Sequence, residues 1–170
     1  MTATEKLTLG GLLLALIILT CNLYPWWRGN RDMKLLAAFG KGNLGGLCAA
    51  MCPGGILGWV HSRTGTVGNG IGERTSQATT GTTSGQALTT GQLVGLGATG
   101  AAVVVITVLL VSLAYKEAGK KDRRRIIGGA YVGSTLSLTA GVAGALAWLP
   151  EAFNGAGDAV VAFFQGAGLL

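Results

Sequence analysis

Two uncharged apolar stretches, residues 94–115 and 126–149, flank a ten-residue loop, 116–125, that reads KEAGKKDRRR. At ~1.5 Å of rise per residue, each stretch is long enough as a helix to cross a hydrocarbon core of about 30 Å. The pattern predicts a membrane helical hairpin with a basic tip. The expected fold class is an all-α integral membrane protein with three or four transmembrane helices, the C-terminal hairpin among them.

The distribution of charge supports this reading. Only 12% of the 170 residues are charged, where soluble domains carry about 25%. Residues 7–27, 42–60, 75–115 and 126–150 contain no charged side chain. The net charge of +6 therefore sits in the connections. That excludes the uniformly basic surface expected of a nucleic-acid-binding domain.

Five segments follow from these boundaries. Residues 1–27 form an N-terminal anchor or signal-like helix, with Tyr24, Trp26 and Trp27 as the aromatic belt that closes a span at the interface. Residues 28–60 join a short amphipathic stretch, expected along the headgroups, to an uncharged stretch with Pro53 near its middle, either a kinked span or a re-entrant segment. Residues 61–91 are a Thr/Gly-rich polar stretch, expected to be flexible or extended. Residues 92–149 are the hairpin, with its basic loop at 116–125. Residues 150–170 form a C-terminal interfacial segment opened by Pro150 and Glu151. Basic loops stay in the cytoplasm, so a crossing within 43–60 places both 28–41 and 116–125 on the inner side.

Rows of small residues recur every four positions. Gly129, Gly133, Ser137, Gly141 and Ala145 line one face of the second hairpin arm, and Gly46, Ala50, Gly54 and Gly58 line the earlier stretch. A shorter row is Gly91, Gly95 and Thr99. In lipid, such rows let helix backbones approach closely. They predict packing faces, either within the chain or between copies in a homo-oligomer.

The basic tip, Lys116, Lys120, Lys121, Arg123, Arg124 and Arg125, has three readings. It binds anionic phospholipid headgroups and fixes topology, lines a positively charged lumen, or meets an acidic partner. Membrane lipid is the expected partner and no cofactor is expected. The GLGATG run at 95–100 lacks the strand and βαβ context of a dinucleotide fingerprint. Cys21, Cys48 and Cys52 form no disulfide framework, and with His61 as the sole histidine no metal is assigned. The hairpin arms carry no membrane-embedded charge of the kind that marks proton relays and coupled carriers. This separates the chain from the rotor-ring subunits of ATP synthases. No nucleophile, base and orienting group can be named, so no enzyme is expected.

Two apolar helices, a short basic loop and a glycine-rich second helix over about 92–149 resemble the pilins of type IV secretion and conjugation systems. The resemblance implies hairpins stacked into a helical tube, with the basic loop toward the lumen and lipid between subunits. It implies assembly into an extracellular filament, and DNA passage only in a pilus or channel. Residues 1–92 and the C-terminal tail depart from that pattern. The functional expectation is a non-enzymatic, self-associating multi-pass membrane protein, pilin-like or channel-forming, of a conjugation or secretion apparatus. The alternatives are a holin-like permeabilising pore and an accessory subunit of a larger membrane complex.

Overall fold

A computed structural model describes residues 7–29 and 33–167. Among these the chain is all-α, with helices α1 Leu9–Arg28, α2 Met33–Met51, α3 Gly55–Thr80, α4 Ala98–Glu117, α5 Lys120–Leu136, α6 Ala140–Ala145 and α7 Leu149–Gly166. α1 and α4 are each long and apolar enough to cross a membrane. α2 and α3 pass the same test as a pair bent by 108°.

The bend follows from the residues between the two helices. Pro53 disfavours helical geometry at Cys52 and brings no amide hydrogen. Gly55 then sits at φ +69°, in the left-handed region. Of the stretch 28–41, expected to lie along the headgroups as a separate element, residues 33–41 are instead the first part of α2, which runs unbroken to Met51, and residues 30–32 lie outside the described residues.

Two further expectations are corrected. The Thr/Gly-rich stretch is not a loop along its first two-thirds, because α3 continues to Thr80 and closes on Gly81 at φ +71°. Its threonines bond back to the preceding turn: Thr64 to the Val60 carbonyl at 2.8 Å, Thr75 to Ile71 at 2.9 Å and Thr79 to Thr75 at 2.8 Å. These hydroxyls are satisfied without leaving the helix. The second hairpin arm, 126–149, is not one helix either. α5 absorbs residues 120–125 of the loop and ends at Leu136, and α6 and α7 follow after short breaks. The loop itself shrinks to Ala118 and Gly119.

Helix directions follow from close pairs along the axes. Gly42 abuts Ile126 and Gly46 abuts Ala130, so α2 and α5 run parallel. Gly128 faces Ile18 and Asn22, while the Tyr131 hydroxyl donates to the Gly11 carbonyl at 3.4 Å, so α1 runs antiparallel to α5. α5 pairs mainly with α2, and α4 with α7. The two arms of the expected hairpin thus take different partners. The extended stretch after α3 stitches the far end together: Leu9 and Gly10 donate to Gln86 and Ser84 carbonyls, Leu88 to Leu7, and Gly91 to Leu138, at 2.8–3.1 Å. Cys48, Met51, Leu93, Val104, Ala143 and Leu149 form the core between these elements.

Candidate functional site

Among the described residues, glycine brings backbone against backbone in three helix pairs. Between α2 and α5, Gly42 and Gly46 meet the backbone of Ile126 and Ala130, and Gly129 and Gly133 meet that of Phe39 and Asn43. A Cβ on Gly46 would lie 2.8 Å from the Ser134 amide nitrogen, and one on Gly129 equally close to the Asn43 nitrogen. Between α1 and α3, Gly10 packs against Gly72, and the Asn69 side-chain oxygen accepts from the Thr8 amide at 2.9 Å. Between α4 and α7, Gly100 meets Asn154 and Gly157 meets Thr99. Asn154 also accepts from the Gly97 amide at 2.8 Å and donates to the Gly95 carbonyl at 2.9 Å. Backbone approach of this kind is how helices associate where lipid removes the hydrophobic drive between them.

The structure divides the two long rows. Gly46, Gly129 and Gly133 pack within the chain. Ser137 is buried and donates its hydroxyl to the Ser134 carbonyl at 2.8 Å, and Ala50 lies against the core. Gly54 and Gly141 have open space where a side chain would project, Ala145 is exposed, and Gly58 meets only the Cys52–Pro53 turn before its own helix. The helix breaks at 52–54 and 137–139 take these later members out of phase with the earlier ones. Of the shorter row, Gly91 packs on α6. Gly42, Gly68 and Gly72 are contacts outside every row named from sequence. Their signal was the pairs Gly42/Gly46 and Gly68/Gly72, each four residues apart.

The helix directions gather the basic residues at one end. Arg28, Lys34, Lys41, Lys116, Lys120, Lys121, Arg123, Arg124 and Arg125 stand against Glu117 and Asp122, a net of +7 among described residues. The opposite part of the molecule holds Arg63 and Arg74 against Glu73, Glu151 and Asp158, a net of −1. Not all of the tip is free for a ligand. Arg123 donates to the Ala118 and Lys116 carbonyls at 2.9 and 2.6 Å and lies 5.5 Å from the centre of the Tyr115 ring, closing the end of α4. Arg125 pairs with Asp122 at 3.1 Å. Lys116, Lys120, Lys121 and Arg124 are the remaining tip cations.

The aromatic group expected at the end of α1 lies at this same end. Tyr24 accepts from Arg28 at 2.8 Å, and Trp27 is largely exposed, with Trp26 between them half-buried. α1 exposes Leu13, Leu16 and Ile17, and α4 exposes Val105, Ile106, Leu109, Leu110 and Leu113, a stripe along one helix face that runs up to the basic end. Among the described residues no three His, Cys, Asp or Glu side chains converge as a metal site would require. No protein family, curated protein or solved structure matches the chain.

Proposed function

We propose that this chain is a non-enzymatic, multi-pass membrane protein that serves as a structural or channel-forming subunit of an envelope assembly, of the kind that conjugation and secretion apparatuses contain. The observation that supports it most is the exposed apolar stripe on α4. Five large aliphatic side chains there, each more than half exposed, would be a costly face in water and an ordinary one in lipid. The charge polarity agrees with it. By the bias of short basic loops, the +7 end lies in the cytoplasm, where its tip cations attract anionic headgroups with ~1 kcal/mol each.

The glycine contacts refine the assembly reading. Since the strongest small-residue faces are used inside the chain, a subunit enters its assembly already folded and joins it through other surfaces. The proposal therefore rests on the bundle, not on stacking of an α4–α5 hairpin. Its test is the protein mass of the detergent-extracted particle, by light scattering and electron microscopy of the same peak. A ring, tube or defined oligomer in the membrane fraction is the expected result. A soluble protein, extracted without detergent, would overturn the reading.

A further inference from the structure

Three interruptions of helix meet around one cavity of about 570 Å³: the α2–α3 bend, the extended residues 90–96, and the α5–α6 joint at Ser137 and Leu138. That volume lies within the usual range for small-molecule sites. In a membrane protein, irregular backbone persists only where protein covers it or where it lines a cavity. Here three irregular stretches do so together.

The lining has a distinct chemistry. No Asp, Glu, Lys or Arg contributes to it. Its polar side chains, among them His61, Ser62, Thr90, Gln92 and Ser137, are hydrogen-bonding groups with no fixed charge, set beside Met51 and Leu93. The His61 ring is held in place, its Nδ1 2.6 Å from the hydroxyl of Ser134, a buried residue. Trp59 forms part of the wall. A charged ligand would lose its hydration here with no counter-charge to replace it. A purely apolar one would strip water from the polar groups without bonding them. We propose that the cavity binds a neutral amphiphile, with a carbonyl or hydroxyl head for the polar groups and a short apolar body along the aliphatic wall. The proposal goes beyond the structural role and does not depend on which assembly the chain serves.

Trp59 supplies the reporter. In the full-length protein carrying Trp26→Phe, Trp27→Phe and Trp148→Phe, it is the remaining tryptophan. The probe is a short-chain benzoquinone, a neutral amphiphile with carbonyl heads that quenches indole fluorescence, added to the protein in mild detergent. Saturable quenching is expected, at least tenfold weaker in apparent affinity with His61→Leu. Gly54→Leu is the second variant. Gly54 lines the cavity on extended backbone, with open space at the position of a Cβ, so a leucine adds bulk at the cavity wall without a backbone clash. It too is expected to weaken quenching tenfold or more, with an unchanged helical circular dichroism spectrum. Quenching that rises linearly with probe, or that saturates equally in the folded Gly54→Leu protein, would overturn the proposal. Equal competition by a carboxylated analogue of the probe would overturn its claim of neutrality.

Discussion

Replacing Gly46 by alanine adds one methyl group where α2 and α5 touch through their backbones. The new Cβ would run into the Ala130 carbonyl oxygen and would lie 2.8 Å from the Ser134 nitrogen and 3.0 Å from the Ala130 carbonyl carbon. Ordinary contact begins near 3.4 Å, so the helices must separate by more than about half an ångström. A gap of that order forfeits about a quarter of each dispersion contact along the seam. Forced overpacking of a close interface typically costs about 1–3 kcal/mol. Gly40 is the internal control, because it lies on the same helix and a Cβ there would meet nothing within 4 Å. Alanine at either position gains the same helix preference, about 0.5–1 kcal/mol, so the difference between the two variants isolates the contact. Gly46→Ala is expected to be less stable than Gly40→Ala by about 1–3 kcal/mol, the common gain cancelling. The measurement is unfolding from mild-detergent micelles by added denaturing detergent, followed by far-ultraviolet circular dichroism. Equal midpoints for the two variants would refute backbone contact as the basis of α2–α5 packing.

Other outcomes follow from the same geometry. Gly133→Leu should unfold the monomer at any protein concentration, since its Cβ meets the Asn43 backbone, while Gly141→Leu, projecting into open space, should shift the midpoint by less than about 0.5 kcal/mol. Arg123→Ala removes two bonds to the end of α4 and should cost about 1 kcal/mol in the same assay, with Arg123→Lys recovering only part because it loses the planar fork. Asp122→Asn breaks only a partly exposed pair and should change stability by less than about 1 kcal/mol. Asn154→Ala should loosen the entry to α4, seen as faster amide exchange at Gly97, whose hydrogen bond it removes.

The helical class and two helices long and apolar enough to cross a membrane were legible because uncharged runs such as 7–27 and 94–115 leave few alternatives. The second arm misled for a physical reason. Hydropathy records that 126–149 is apolar, but the helix breaks at Ser137 to Thr139, where hydroxyls compete for backbone: Ser137 and Thr139 donate to the Ser134 and Leu136 carbonyls. α3 was hidden by the opposite effect. Its composition looks like linker, yet Gly68 and Gly72 let it lie against Tyr131 and Gly10, and tertiary contact overrides weak helix preference. Of the small-residue rows, Gly46, Gly129 and Gly133 meet the backbone of a facing helix in the same chain. Spacing alone carries no information on whether the facing helix belongs to the same chain. The cavity was not legible at all, since residues 52–62, 90–96 and 137–138 are brought together only by the fold.

Membrane insertion with the basic end on one side is tested most directly by single cysteines in a protein freed of Cys21, Cys48 and Cys52. One replaces Gly119, in the short α4–α5 link, where a side chain meets nothing within 4 Å. The other replaces Thr82, exposed just beyond α3 and near the start of α1. An impermeant maleimide applied to intact cells lacking an outer barrier should label position 82 and spare position 119 until the membrane is opened. Labelling of both positions in intact cells, or of position 119 alone, would contradict a membrane-embedded bundle whose basic end faces the cytoplasm.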